Sequence, residues 1–259
     1  MSDGGLYTAM SGGVATSKQL DITSNNLANI NTTGYKKDKT IFKDQLAKIE
    51  FDDINEIQAK DVEMPPRVLS IDKYNVVIDD SFTEFSQGML EKTNNMLDIA
   101  INGNGFFKVK TPEGIRYTRN GSFRHSKDGL LVTSDGYPVL DENDTEIDLE
   151  NSKRIVVNDN GTIYLGENKN TKLSIKTFKD LSRLEKIGKN LFKQTNKNEQ
   201  EIESNSTVIQ GFLESSNVSP VEEMVNLISL HRQFELNGKA IETFSEMDKK
   251  ATSDLGRIG

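Results

Sequence analysis

Between residues 99 and 205 the chain is cut repeatedly by Asn-Gly or Asp-Gly pairs, each set between short β-branched or aromatic runs. Asn102-Gly103, Asn120-Gly121, Asp128-Gly129, Asp135-Gly136 and Asn160-Gly161 separate runs such as Phe106-Phe107-Lys108-Val109, Leu130-Leu131-Val132 and Ile163-Tyr164-Leu165. Such pairs adopt the left-handed conformation that tight hairpin turns demand, which makes them the strongest short-range hairpin signal. A turn about every 8–12 residues suits an all-β sandwich or barrel. The middle of the chain is therefore predicted to be β structure.

The two ends follow a different period. Positions 6, 10, 13, 17, 20, 24 and 27 keep the 4-3-4-3 spacing of one helix face and hold Leu6, Met10, Gly13, Ser17, Leu20, Ser24 and Leu27. Such a stripe usually packs on its own domain's core, but the small residues within it favour close approach of a second helix. The run Asn25-Asn26-Leu27-Ala28-Asn29-Ile30-Asn31-Thr32-Thr33-Gly34-Tyr35 then closes the helix. Asn and Gly tolerate the left-handed exit conformation, and Asn and Thr side chains bond freed backbone groups. A second helix is predicted from about residue 217, with Pro220 in its first turn and Asn217 or Ser219 as cap. Leu227, Phe234 and Ile241 recur every seven residues, and Leu230, Asn237 and Phe244 fill the second seam position. A polar Asn237 in such a seam specifies register at some cost in stability.

The predicted fold class is α+β, mainly β: a central all-β domain with long N- and C-terminal helices that pair as a coiled-coil-like layer. The expected division is 1–46 for the N-terminal helix and turn, which pairs with the C-terminal helix in assembly, and 47–90 for a polar linker and variable segment. Residues 91–205 form the β-rich domain and 206–259 the C-terminal assembly helix.

Composition excludes several functions. Lys and Arg number 32 against 40 Asp and Glu, a net charge of −8 with a pI near 5.0, which argues against nucleic acid as a partner. No uninterrupted apolar run exceeds three residues, so no transmembrane segment is expected. The first 17 residues carry neither Lys nor Arg nor an apolar stretch, so no cleavable secretion signal is expected. The absence of Cys excludes disulfides, CxxC zinc sites and thiol nucleophiles. Only 34% of residues are hydrophobic, little for a compact enzyme of 259 residues, which favours an elongated shape or burial completed by partners.

Catalytic and cofactor signals are weak. His231 falls in the helical heptad and His125 in the hairpin region, with no GxSxG elbow or partner acid. Asn102-Gly103-Asn104-Gly105 lacks the third glycine and following helix of a dinucleotide loop. Asn158, Asn160, Gly161 and Glu167 fall at calcium-loop spacing, but Val156 occupies the first ligand position and cannot coordinate. No catalytic residue, cofactor or metal is expected.

Three stretches carry a resemblance. Leu6-Tyr7-Thr8-Ala9-Met10-Ser11-Gly12 followed by Ser24 to Lys36 is the first. The second is Leu97-Asp98-Ile99-Ala100-Ile101-Asn102-Gly103-Asn104-Gly105-Phe106-Phe107 with Tyr117-Thr118-Arg119-Asn120-Gly121-Ser122-Phe123 and Val132 to Leu140. The third is Gln210-Gly211-Phe212-Leu213-Glu214-Ser215-Ser216-Asn217-Val218 with Pro220 to Ile228. In this order they resemble the signatures of bacterial flagellar rod and hook proteins. The resemblance implies a structural rod subunit in the periplasmic part of the basal body, exported through the flagellar type III apparatus without a cleaved signal. It would assemble with copies of itself and with other rod proteins. The residues it assigns to assembly are Leu6, Met10, Leu20, Asn25, Asn26, Leu27, Asn29, Thr33, Gly34, Leu227, Leu230, Phe234, Asn237, Ile241 and Phe244. Tyr7 to Gly12 and Arg232-Gln233-Phe234-Glu235 look like the proximal rod, Gln210 to Asn226 nearly as much like the distal rod. A length of 259 residues leaves no room for the hook protein's additional outer domain. The alternatives from other classes are a non-flagellar β-domain binding module oligomerised through its terminal helices, and a hydrolase using carboxylates of the β domain.

Overall fold

The computed structural model of the chain describes residues 3–46, 74–149, 155–165, 169–195 and 201–255. Helix α1 covers Asp3–Ala28 and is followed by β1 (Asp38–Leu46) and β2 (Tyr74–Thr83). Six short strands come next: β3 (Leu90–Lys92), β4 (Ile99–Asn102), β5 (Phe106–Thr111), β6 (Gly114–Thr118), β7 (Phe123–His125) and β8 (Leu131–Thr133). After them lie β9 (Ile155–Val157), β10 (Thr162–Leu165), β11 (Lys169–Lys172), β12 (Ile175–Thr177), β13 (Leu184–Lys186) and β14 (Leu191–Gln194). The chain ends with β15 (Ile202–Glu203), β16 (Thr207–Gln210), β17 (Phe212–Glu214) and helix α2 (Pro220–Leu255). The fold is α+β and mainly β, with a helix at each end. Most of the expected linker, residues 47–73, lies outside the described residues.

The turn residues act as their chemistry predicts. Gly103, Gly129, Gly136 and Gly161 all have positive φ. At Asn160-Gly161 the chain reverses between β9 and β10, which pair antiparallel with Ile163 opposite Val157. The calcium-like spacing around Gly161 belongs to this hairpin; Glu167 lies outside the described residues. Asn120-Gly121 works by a different physics. Gly121 is not left-handed, but a Cβ there would fall on the Ile99 carbonyl oxygen. Glycine is required for backbone-to-backbone approach.

Among the described residues the strands form one six-stranded antiparallel sheet, ordered β13-β14-β6-β5-β12-β15, and one three-stranded sheet, β11-β10-β9. The others pair two by two: β1-β2, β16-β4, β17-β3 and β7-β8. Turn spacing alone suggests the two broad sheets of a sandwich, or a barrel; one broad sheet and several ribbons stand in their place. The hairpin strands β7 and β8 are only three residues long. Beyond β8 the pairing continues as isolated bridges, one of them Val132 with Pro138, which has no N–H to extend a ladder.

The chain divides into two compact units. One comprises Ser24–Lys39 and Phe82–Met224 and holds the β body. Its larger core packs Ile99, Ile101, Phe107, Phe123, Val139, Leu149, Ile163 and Val208, and a second cluster packs Phe106, Tyr117, Phe178, Leu184 and Phe192. The other unit comprises Met1–Thr23, Thr40–Ser81 and Val225–Gly259 and holds most of both helices.

Candidate functional site

In the β body, the end of α1 is built from asparagine. The Asn29 side-chain amide donates to the Asn25 carbonyl at 2.8 Å, and Thr32 Oγ1 donates to Asn29 Oδ1 at 3.1 Å. Asn26 is buried and imitates a strand: its Nδ2 donates to the Asp38 carbonyl at 2.9 Å while its Oδ1 accepts from Asp38 N–H at 3.0 Å. The Tyr35 hydroxyl points at Asn25 Oδ1, 2.9 Å away. Burial, reinforced by Asp38 and Glu223, pushes the Tyr35 hydroxyl pKa upward, so it remains a donor. Thr33 contributes its carbonyl, which accepts from Asn190 Nδ2 at 2.9 Å. Gly34 has φ of +68° and donates its N–H to the Glu214 carbonyl at 2.7 Å. A Cβ at Gly34 would stand 2.6 Å from both the Arg119 carbonyl carbon and the Asn120 nitrogen.

This turn delivers Lys36 into the interior, where it is 0% exposed. Its Nζ donates to Glu214 Oε1 at 2.5 Å and to the Ser86 carbonyl at 2.7 Å. Glu214, at the end of β17, also accepts from Gly88 N–H at 2.9 Å and from Arg119 Nη1 at 3.2 Å. Arg119 donates through Nη2 to the Gly103 carbonyl at 2.6 Å, and its guanidinium lies 5.4 Å from the centre of the Phe106 ring. Two cations thus share one carboxylate, and the Ser86, Ile101 and Gly103 carbonyls accept further protons, while Arg119 Nε is buried without a hydrogen-bond partner among the described residues. Burial lowers the pKa of Lys36, with Glu214 pulling the other way, and burial lowers that of Arg119.

A ring of contacts surrounds this cluster. Lys186 bonds Asp38 Oδ2 at 2.9 Å and sits 3.7 Å from the centre of the Tyr35 ring. Asn217 Oδ1 accepts from Lys37 N–H at 2.8 Å, and its Nδ2 donates to the Glu84 carbonyl at 2.8 Å. Lys37 reaches Glu223 in the first turn of α2 at 2.9 Å. With Asn217 so engaged, Ser219 is the residue whose carbonyl accepts the Glu223 N–H at 3.0 Å. Residues 25–38 and 214–223 therefore meet on one patch of the β body.

In the helical unit α1 and α2 pack together, but the contact face of α1 is rotated from the expected stripe. A Cβ at Gly5 would lie 2.8 Å from the Phe244 ring, and one at Gly12 would lie 3.6 Å from Asn237 Nδ2. Asn237 Nδ2 donates to Thr16 Oγ1 at 3.3 Å. Gly5, Gly12 and Thr16 form the α1 side of the contact, because the least bulky residues permit the closest approach. Leu6 and Leu20 are half-buried, whereas Met10 is 49% exposed and nothing lies within 4 Å of a Cβ at Gly13; Leu27, also half-buried, belongs to the β body's unit. On α2, Leu227, Leu230, Asn237, Ile241 and Phe244 are half-buried along one face, and Phe234 at its edge is 45% exposed.

Lys36, Arg119 and Glu214 form the buried ion cluster that pattern reading passes over. Each lies inside one of the three signature stretches. Lys36 follows Tyr35 and Glu214 follows Leu213, and a charge in aromatic or apolar company signals a buried ion partner. Arg119 stands between the polar Thr118 and Asn120 and gives no such local signal. His231 pairs with Glu235 on the surface of α2 at 3.5 Å, and His125 is exposed. Among the described residues no cluster of His, Cys, Asp or Glu could hold a metal, and no helix is long and apolar enough to cross a membrane.

A β body that draws residues 25–38 and 214–223 onto one ion cluster, and a second unit in which α1 packs on α2, define an α+β structural class in which the two terminal segments are joined within each unit. Comparison with known proteins gives the family. The profile described as "Flagella basal body rod protein" matches residues 6–36, "Flagellar hook protein FlgE/F/G D1 domain" matches 100–165, and "Flagellar basal body rod FlgEFG protein C-terminal" matches 209–254. The flagellar basal-body rod protein FlgF of Caulobacter vibrioides is 33% identical over 99% of both chains. FlgG of Buchnera aphidicola is 34% identical, covering 95% of this chain and 97% of its own, and FlgG of Borreliella burgdorferi is 36% identical, covering 93% and 95%. The chain belongs to the flagellar basal-body rod protein family.

Proposed function

We propose that the chain is a non-catalytic structural subunit of the flagellar basal-body rod, assembling with copies of itself and with other rod proteins so that torque passes along the rod for swimming. One observation carries this reading. Residues from each of the three family-matched segments, Lys36, Arg119 and Glu214, converge in the buried cluster, so both terminal segments are anchored to the β body at a single place. Load reaching either helix meets a hydrogen-bonded, ion-paired root instead of a loose tether.

In this reading the work is divided along the chain. Residues 1–46 and 206–259 assemble, their helices contributing to a coiled-coil-like layer, while residues 91–205 form the β domain and residues 47–90 the variable segment. Leu6, Leu20, Leu27, Leu227, Leu230, Ile241 and Phe244 supply apolar surface to that layer, and Asn237 sets its register. The subunit is exported through the flagellar type III apparatus and works in the periplasmic part of the basal body. A net charge of −8 gives nucleic acid no role.

The full-length match to a FlgF favours the proximal rod; FlgG relatives of similar identity support the distal rod as the second reading. In-frame deletion tests the function: filament and swimming are lost together, and normal swimming of the deletion strain overturns it. Microscopy of a tagged subunit in purified basal bodies separates the two positions.

A further inference from the structure

The chain holds five Asn-Gly pairs: Asn102-Gly103, Asn104-Gly105, Asn120-Gly121, Asn160-Gly161 and Asn237-Gly238. Asparagine before glycine is chemically labile, because no Cβ shields the glycine nitrogen from the asparagine side-chain carbonyl. In a folded chain the attack has three requirements. The side-chain amide must be unheld, the glycine N–H must have no acceptor, and the link between them must be able to bend.

Four of the pairs fail at least one of these. Asn237-Gly238 lies inside α2, and Asn237 is bonded to Thr16. Asn160 Oδ1 accepts from Thr162 N–H at 3.0 Å, while Gly161 N–H donates to the Asn158 carbonyl at 2.9 Å. Asn120 Oδ1 accepts from Ser122 N–H at 3.0 Å, and Gly121 is packed against the Ile99 carbonyl. Asn102 sits in β4 opposite Thr207, and Gly103 N–H donates to Gln87 Oε1 at 3.1 Å.

Asn104-Gly105 meets all three. Asn104 is exposed in a bend outside the strands, directly after Gly103 with its positive φ. Among the described residues neither its side chain nor the Gly105 N–H has a hydrogen-bond partner. Its main-chain carbonyl is engaged: Ser204 Oγ donates to it. Ser204 Oγ itself accepts from Ser206 N–H at 3.1 Å, and Ser206 Oγ stands 2.8 Å away. One hydroxyl carries one proton, so with that of Ser204 on Asn104, the Ser206 hydroxyl donates to Ser204. Bonds in such a chain strengthen one another. A proton pressed onto the Asn104 carbonyl draws charge out of the Asn104–Gly105 peptide and acidifies the Gly105 N–H, the group that must lose its proton to attack.

We propose that Asn104 is a site of spontaneous deamidation, activated by the Ser204 hydroxyl. Gly105 N bonds to Asn104 Cγ, the Cγ–Nδ2 bond breaks, and the side-chain nitrogen leaves as ammonia with the proton lost by Gly105. The five-membered succinimide is then opened by water at either carbonyl, leaving aspartate or isoaspartate. One water is consumed and one ammonia released, with no oxidant or cofactor. The product carries a new negative charge, and in isoaspartate one more main-chain atom, at the turn whose Gly103 carbonyl accepts from Arg119 at 2.6 Å. Ageing of the chain thus lands beside its own ion cluster, whatever its place in an assembly.

The purified full-length chain is incubated at neutral to mildly alkaline pH, folded and in denaturant, and its peptides are mapped by mass spectrometry with isoaspartyl methyltransferase labelling. In the folded chain, conversion at Asn104 should outrun the other four pairs several-fold, and in denaturant that lead should vanish. An intact Asn104, conversion led by another pair, or a lead that persists unchanged in denaturant overturns the proposal. Ser204→Ala should slow conversion at Asn104 several-fold in the folded chain alone, and Ser204→Thr, which keeps the hydroxyl, should retain the rate. An unchanged or faster rate in folded Ser204→Ala overturns it as well, since a merely loosened turn reacts faster.

Discussion

Glu214 supplies the negative charge that faces two buried cations of the β body. It is 1% exposed and is the carboxylate paired with both Lys36 and Arg119. Glu214→Gln keeps the shape and leaves two buried cations without a counter-charge, a change that costs about 3–5 kcal/mol when one partner of a buried pair is removed. The expected outcome is a large drop in melting temperature by circular dichroism or calorimetry, and unchanged melting would place the ion cluster outside the energetics of the fold. Gly34 makes a second demand at the same spot. Valine there must hold a positive φ, at a cost of roughly 1–3 kcal/mol, and must also displace the Arg119–Asn120 backbone. Gly34→Val should therefore abolish rod assembly, scored as loss of swimming, and a normally swimming strain counts against this account of the turn.

At the scale of elements, the helix contact sorts two adjacent glycines. Gly12 faces Asn237, whereas a side chain at Gly13 meets open space. Gly13→Ala should raise the stability of α1 by about 0.5–1 kcal/mol, the usual gain from replacing glycine inside a helix. Gly12→Leu should force the helices apart and lower the melting temperature of the purified chain; the reverse order of the two variants would refute the packing. The rotation of the α1 face also shows what the sequence could and could not convey. Large apolar residues mark a stripe at Leu6, Met10, Leu20 and Leu27, and that periodicity revealed the helix. Which side meets a partner is decided by closeness of approach, and that depends on residues such as Gly5 and Thr16 that hydropathy counts as neutral. The β turns were legible because Asn-Gly and Asp-Gly encode their geometry locally. The order β13-β14-β6-β5-β12-β15 was not, since it joins residues far apart in the chain. The ion cluster was half-legible: its three charges stand inside the signature stretches, but nothing local says that they meet.

At the scale of the whole molecule, Ser24–Lys39 belongs to the same compact unit as Phe82–Met224 although residues 40–81 intervene. A specific protease site inserted within 47–73 tests that union. After cleavage, the N-terminal fragment should stay bound to the remainder through Lys36, the Gly34 N–H and the Asp38–Lys186 pair, and co-elute with it in gel filtration. Separation of the fragments under native conditions would contradict the shared unit. Adding Glu214→Gln to the cleaved chain should release the N-terminal fragment.

The Lys36–Glu214 bond spans 178 residues, and it also makes the fold an inspection of its own completeness. A chain that emerges N-terminus first presents Lys36 early and Arg119 midway, and both must wait for Glu214 before they can be buried without penalty. Any product that stops short of residue 214 holds two cations and no acid between them, so burying either one carries an uncompensated charge penalty. Long-range closure of this kind is slow to form. The closing contact is thus one that only a chain extended through residue 214 can make.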